Sequence, residues 1–130
     1  MIETGFLPDP QSWHLWKDVL ALLDTAAVRG GIPAWSDGDL LWIAIDNGQV
    51  IGAATSRLMS DGNAELKNVA GTRMREWHGD LEGTICDWAR CHACPLIVSR
   101  GRKGWIPIVR KWGWQKVGEE DGLTLFEKVL

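Results

Sequence analysis

The side chains best suited to chemistry are concentrated in the stretch from Glu76 to Trp114. From Trp88 to Gly118 the chain contains no Asp or Glu, although its net charge is -3. The cations in that acid-free run are Arg90, Arg100, Arg102, Lys103, Arg110, Lys111 and Lys116. Such a block is typical of an anion-binding or partner-binding face, with a solvated surface as the alternative. We predict that face at Arg100, Arg102, Lys103, Arg110 and Lys111.

Tryptophans lie among these cations. The stretch from Glu76 to Trp114 holds five of the nine tryptophans in the sequence. Trp105, Trp112 and Trp114 interleave with basic residues, and such a pattern can track phosphates and stack bases. The alternative is that these indoles pack against a sheet. We favour packing over nucleic-acid binding.

Cysteines and histidines also invite a chemical interpretation. Cys91, His92 and Cys94 are close in sequence, and Cys86 would supply a fourth zinc ligand. However, Cys86 and Cys91 are five residues apart and lie on different faces of a helix, so we predict no metal site. We assign no disulfide and expect Cys86 and Cys94 to be small buried side chains. His14 and His78 are expected on helix surfaces.

Length and composition predict one domain over residues 1–130. No apolar run approaches the roughly 18 residues that a membrane-spanning helix needs. Residues 1–5 lack the basic and apolar regions of a secretory signal. We therefore expect a cytosolic protein, with a virion as a further destination.

Hydrophobic periodicity predicts the first half of the chain. A helix from Pro10 to Ala27 is indicated by apolar residues at spacings of three and four, and the glycines and proline of residues 30–33 end it. Two β-branched runs, Leu40 to Ile45 and Gln49 to Leu58, flank an Asn-Gly pair that suits a type I′ turn. A third strand, Ala64 to Ala70, completes an antiparallel meander.

The second half begins with a change of period. After Gly71, a helical stripe contains Trp77, Leu81, Ile85, Trp88 and Ala89, with Glu76, Asp80, Glu82 and Asp87 off it. Pro95 to Val98 reads as a strand buried on both faces. A short helix from Trp105 to Trp112 and a hairpin from Gln115 to Val129 come next. The fold class is α+β, a mixed α/β domain: meander, helix, strand, helix and C-terminal hairpin.

This element order resembles the GNAT superfamily of acetyl-CoA-dependent N-acyltransferases. Three local patterns agree with it. They are Asp46-Asn47-Gly48-Gln49-Val50-Ile51-Gly52 in the hairpin, Ile85-Cys86-Asp87-Trp88-Ala89-Arg90 at a helix end, and Arg110-Lys111-Trp112-Gly113-Trp114-Gln115-Lys116-Val117-Gly118 leading into the final hairpin. The resemblance covers nearly the whole chain. It implies a further first strand, reduced or supplied by Ile2 to Phe6.

The resemblance also implies a site for acetyl-CoA at the junction of the third strand and the next helix. Glu76 and His78 stand where the family has glycines that admit the pyrophosphate. If the cofactor binds, the resemblance implies contacts from the main chain of Val69, Ala70 and Gly71, from Arg73 and Arg75, and from Gly79.

The catalytic residues implied by the family are not matched. Val109 stands at the position of the tyrosine that protonates the departing thiolate in many members, and the sequence contains no tyrosine. Glu65 is the one acid inside the third strand, and we expect a surface or edge position for it rather than a catalytic one. We therefore assign no catalytic residue.

Gly101-Arg102-Lys103-Gly104-Trp105 further resembles small GNAT-like proteins of tailed phages and prophages. That resemblance implies a non-catalytic virion or assembly component in the host cytosol, binding other phage structural proteins and no cofactor. The alternative is an acetyl-CoA-dependent N-acyltransferase with an atypical pyrophosphate loop. The two differ in one structural expectation: the third strand and the buried strand part to admit a pantetheine arm only in the enzyme.

Overall fold

A computed structural model describes residues 1–30 and 35–130, without the side chains of residues 26–30. The predicted helix stop at Gly31, Ile32 and Pro33 lies outside the described residues. The strands are β1 Ile2–Leu7, β2 Leu40–Asp46, β3 Gln49–Leu58, β4 Ala64–Gly71, β5 Leu96–Gly101, β6 Gln115–Glu120 and β7 Leu123–Val129. The α-helices are α1 Trp16–Gly30, α2 Met74–Cys91 and α3 Ile106–Val109.

The strands form one sheet in the order β1-β2-β3-β4-β5-β7-β6. The pair β4–β5 is parallel, and the other neighbouring pairs are antiparallel. The predicted meander and C-terminal hairpin are confirmed, as is a first strand at the N-terminus. Asn47 and Gly48 both take positive φ, at 51° and 78°, as the predicted type I′ turn requires.

The two long helices cover opposite faces of the sheet. On one face α2 buries Trp77 and Leu81 against Trp42. On the other, α1 buries Val19 against Leu41. Because successive side chains of a strand point to opposite faces, adjacent Leu41 and Trp42 belong to different cores.

Three predicted elements need correction. The first helix is interrupted: a 3₁₀ turn covers Pro10–Ser12, Trp13 is extended, and α1 starts only at Trp16. The helix after β5 is also segmented, since 3₁₀ turns at Lys103–Trp105 and Arg110–Trp112 flank the four-residue α3. In β5 Ile97 is fully buried, whereas Leu96 and Val98 are half-buried, because the strand's second face is incompletely covered.

Two glycines give a matched test of this packing. A Cβ at Gly52 would overlap the ring of Trp77, whereas a Cβ at Gly83 in the middle of α2 would meet nothing within 4 Å. We expect Gly52→Ala to lower the free energy of unfolding by about 2 kcal/mol through overpacking. Gly83→Ala should raise it by about 1 kcal/mol through helix propensity. Urea unfolding followed by tryptophan fluorescence measures both, and equal effects of the two changes would contradict the packing described.

Candidate functional site

The strands β4 and β5 are paired over only part of their length. Their register consists of Ala64 with Ile97, Glu65 with Val98, and Leu66 with Ser99. Beyond that last pair β4 continues to Gly71 and β5 to Gly101 with no pairing between them. The Ser99 hydroxyl donates to the Leu66 carbonyl at 2.7 Å and so closes the paired part. The two strands therefore form a V whose closed end is this contact.

A β-bulge in β4 lies next to the closed end. Ser56 of β3 pairs with Leu66 and Thr55 pairs with Asn68, so Lys67 has no opposite residue in β3. A bulge leaves its extra residue unpaired and redirects the strand. The bulge therefore coincides with the point where β4 leaves β5.

A cavity of about 450 Å³ occupies the V. Its walls include β4 from Leu66 to Gly71 and β5 from Ser99 onward. Thr25 of α1 and Met74 of α2 both line it. Since α1 and α2 cover opposite faces, the cavity has walls from both faces of the sheet.

His78 lies in this cavity and not on the helix surface that its sequence position suggested. Its ring stacks between Trp105, at a centroid distance of 5.2 Å, and Trp112, at 4.7 Å. The buried Nδ1 has no hydrogen-bond partner among the described residues. Burial lowers the pKa of His78, and the nearby Glu82 carboxylate partly opposes that shift. The imidazole is therefore held neutral.

Glu82 is also buried, whereas the helical pattern placed it off the apolar stripe. Its Oε1 accepts hydrogen bonds from Lys128 Nζ at 2.6 Å, Trp114 Nε1 at 3.1 Å and Cys86 Sγ at 3.2 Å. These donors stabilise the buried carboxylate. The pKa of the Cys86 thiol is raised to about 12, mainly because the thiol is buried and in addition because the Glu82 carboxylate lies beside it. Residues 78, 82, 86 and 89 recur at helical spacing, and that wider stripe is the signal that could have located His78 and Glu82.

Two ion pairs stabilise the α1 side of β4. Lys67 Nζ lies 2.6 Å from Asp39 Oδ2, and their side chains are only 3% and 2% exposed. Glu65 pairs with Arg57 at 2.6 Å. The prediction of a surface or edge position for Glu65 is wrong, because β4 is a central strand and this carboxylate is buried there.

The residues predicted to contact a cofactor are only partly brought together. Val69, Ala70 and Gly71 line the cavity. Arg73 instead binds Glu76 and Asp46, and Arg75 is exposed outside the cavity lining. A Cβ at Gly79 would lie 3.4 Å from the ring of Trp112, so this glycine makes room for an indole.

The predicted anion-binding residues divide into two groups. Arg100 and Arg102 line the cavity, whereas Lys103, Arg110 and Lys111 are exposed outside its lining. Trp105 and Trp112 stack on His78, and Trp114 is buried. These indoles therefore pack inside the protein, as the sequence analysis favours over stacking on bases.

The cysteines are placed as expected for small side chains. Cys86 and Cys94 are buried and Cys91 is exposed. His92 lies at the C-terminal end of α2 beside the Trp88 carbonyl. Across residues 1–30 and 35–130 no group of three His, Cys, Asp or Glu side chains could hold a metal ion. His14 is exposed, in the turn before α1.

Solved structures share this fold across the whole chain. A GNAT family acetyltransferase from Elizabethkingia anophelis with acetyl-CoA bound matches with a TM-score of 0.77 at 16% identity, over 99% of this chain and 98% of that one. GCN5 of Tetrahymena matches with a TM-score of 0.73 at 17% identity, over 98% and 95%. A Bacillus subtilis acetyltransferase in complex with CoA matches with a TM-score of 0.70 at 12% identity, over 99% and 97%.

These likenesses establish the fold. The protein has the GNAT fold, and the resemblance predicted from its element order is confirmed. No protein-family model and no curated protein matches the sequence. Within the part of the chain that the structure describes, no helix is long and apolar enough to span a membrane.

The neutral His78 predicts a pH dependence of stability. Its pKa is lowered from 6.5 in the fold, so below about pH 6.5 the unfolded chain binds a proton that the folded chain does not. Stability should therefore fall as the pH drops from 6.5 toward the folded pKa. His78→Gln should reduce this slope by up to about 1.4 kcal/mol per pH unit, which corresponds to one proton. Urea unfolding between pH 5 and 8 measures the slope.

The matched control is His14→Gln, which removes an exposed histidine. An equal flattening in that variant would assign the effect to something other than the burial of His78.

Proposed function

We propose that this protein binds an acyl-CoA in the V between β4 and β5 and transfers the acyl group to an amine. The observation that carries the proposal is the end of strand pairing at Leu66 and Ser99, with a cavity beyond it whose walls come from both faces of the sheet. In such a cavity the acyl donor and the acceptor would approach each other from opposite faces. The acetyl-CoA and CoA bound to proteins of the same fold support it further.

The exposed edge of β4 fits a pantetheine arm. From Val69 to Gly71 the main chain of β4 has no partner on β5, so its N–H and C=O groups on that side are paired with no other described strand. An amide-containing arm can pair with a free strand edge as an added strand does. Val69, Ala70 and Gly71 would make these contacts, and a bound acyl-CoA would supply an activated thioester.

The chain's own groups suit proton transfer at one atom. His78 lines the cavity, and its Nδ1 is buried without a partner among the described residues. A neutral imidazole can accept a proton, and a carboxylate nearby favours the resulting cation. Glu82 is that carboxylate. We therefore infer that His78 takes the proton that the amine loses as it attacks the thioester and returns it to the departing CoA thiolate. The second of these steps is the one that the resemblance gives to a tyrosine at the position of Val109.

The non-catalytic virion component stays a prediction from sequence. Neither the cleft nor the likeness to acetyltransferases supports it, and both are expected of the enzyme. Glu76 and His78 stand where the family pattern has glycines. That difference affects where the phosphates of the donor would bind, but it does not remove the cleft.

Calorimetry with acetyl-CoA tests the proposal directly. We expect a Kd in the micromolar range for the unaltered protein. Val109→Trp places an indole in the cleft and should weaken binding at least about tenfold. The control is Val117→Trp, the same change at a residue 54% exposed on edge strand β6. Absence of binding at millimolar acetyl-CoA, or equal loss in both variants, would contradict the proposal.

Kinetics test the role of His78. With acetyl-CoA and the best acceptor from a panel of primary amines, His78→Gln should lower kcat by about 100-fold while KM for acetyl-CoA changes less than about threefold. Release of free CoA thiol is the measurement. A purely structural role would instead raise KM together with any loss of kcat, and the pH dependence of kcat would be the same in both proteins.

A further inference from the structure

The N-terminus of α2 is already occupied by the protein's own charges. Helix N-termini attract phosphates through free N–H groups and the helix dipole. Here Glu76 in the first turn receives Arg73 through two contacts, Nε to Oε2 at 2.7 Å and Nη2 to Oε1 at 3.0 Å. Arg73 Nη1 also donates to Asp46 Oδ2 at 2.6 Å, and the Met1 ammonium binds Asp46 Oδ1 at 3.1 Å. The positive charges of Arg73 and the Met1 ammonium are therefore neutralised by the carboxylates of Glu76 and Asp46.

A phosphate at this end would have to break those contacts. Arg73 can reach an anion only by leaving Glu76 or Asp46, and the uncovered carboxylates would then repel the anion. Arg73 and Arg75 are also absent from the cavity lining. This end of α2 therefore does not fit the pyrophosphate of the acyl donor.

The opposite arm of the V carries the available positive charge. Arg100 and Arg102 line the cavity and lie just beyond Ser99, where strand pairing ends. Within the described residues the Arg102 side chain makes no hydrogen bond or ion pair, although its carbonyl accepts from the Trp105 N–H. Arg100 lies 3.8 Å from Glu120, with the two side chains 41% and 51% exposed, and such an exposed contact is weak. Lys67, the third cation lining the cavity, is held by Asp39.

We propose that Arg100 and Arg102 bind the phosphate groups of the acyl donor, in place of the N-terminus of α2. The proposal rests on the proposed function, because it assumes a pantetheine-bearing donor in the V. A guanidinium group can donate two parallel hydrogen bonds to two phosphate oxygens. Among the described residues no bond of comparable strength has to break first. The donor would then lie with its arm along the free edge of β4 and its phosphates toward the end of β5.

The test compares two ligands and two double variants of equal charge change. Acetyl-CoA carries the phosphates, and S-acetyl-pantetheine has the same arm and thioester without them. The double variant Arg100→Gln with Arg102→Gln should lower the affinity for acetyl-CoA at least about tenfold. Its affinity for S-acetyl-pantetheine should fall less than about twofold, and calorimetry measures both. Arg73→Gln with Arg75→Gln should weaken acetyl-CoA less than about threefold. Arg90→Gln, at the far end of α2, controls for the general loss of positive charge.

The outcomes separate a failure of the phosphate site from a failure of the proposed function. If the unaltered protein binds neither ligand, the proposed function fails. If the unaltered protein binds acetyl-CoA and S-acetyl-pantetheine equally well, the proposed phosphate site is wrong but the proposed function stands. The same conclusion follows if the Arg73 and Arg75 double variant loses as much affinity for acetyl-CoA as the Arg100 and Arg102 double variant. Equal loss of both ligands in the Arg100 and Arg102 variant would also overturn the site, because a phosphate contact cannot affect a ligand without phosphate.

Discussion

Parallel pairing between β4 and β5 stops after three residue pairs, and the rest of the candidate site depends on this early end of the pairing. A parallel pair that continued would satisfy the main chain of β4 and close the sheet. The bulge at Lys67 and the hydroxyl of Ser99, bonded to the Leu66 carbonyl, mark where pairing stops. Beyond that point the sheet has a gap in a central position, bordered by backbone groups that can bind a ligand.

Buried polar side chains around this gap are tolerated because almost every one has a partner. Lys67 has Asp39, and Glu82 has Lys128 and Trp114. A buried charge without such partners would cost several kcal/mol. The imidazole of His78 is an exception: it is held by aromatic stacking, and its Nδ1 is left without a partner within the described part of the chain, as is the hydroxyl of Thr124 in β7. An unsatisfied buried atom on a side chain that lines a cavity calls for an explanation, and the proposed proton transfer supplies one for His78.

The phosphate end shows how one fold can keep a cleft and change what borders it. In this chain α2 begins at Met74, soon after β4 ends at Gly71, and its first turn carries Glu76 and not a glycine. The carboxylate makes a favourable contact with the helix dipole and with Arg73. The proposed phosphate site instead uses Arg100 and Arg102, which line the cavity across the V at the end of β5.

The sequence by itself determined the elements whose causes are local. Asn47 and Gly48 define a hairpin because positive φ is inexpensive for that pair, and periods of two and of 3.6 separate the strands from α2. Tertiary structure decided the site. Glu82 could be buried only because Trp114 and Lys128, 32 and 46 residues away in sequence, supply donors. Glu65 pairs with nearby Arg57 across the β3–β4 hairpin, but it is buried because β5 and α1, which are distant in sequence, cover β4. The strands β4 and β5 parted where long-range pairing stopped. Local patterns cannot encode these outcomes, since each depends on which distant residues the fold brings into contact.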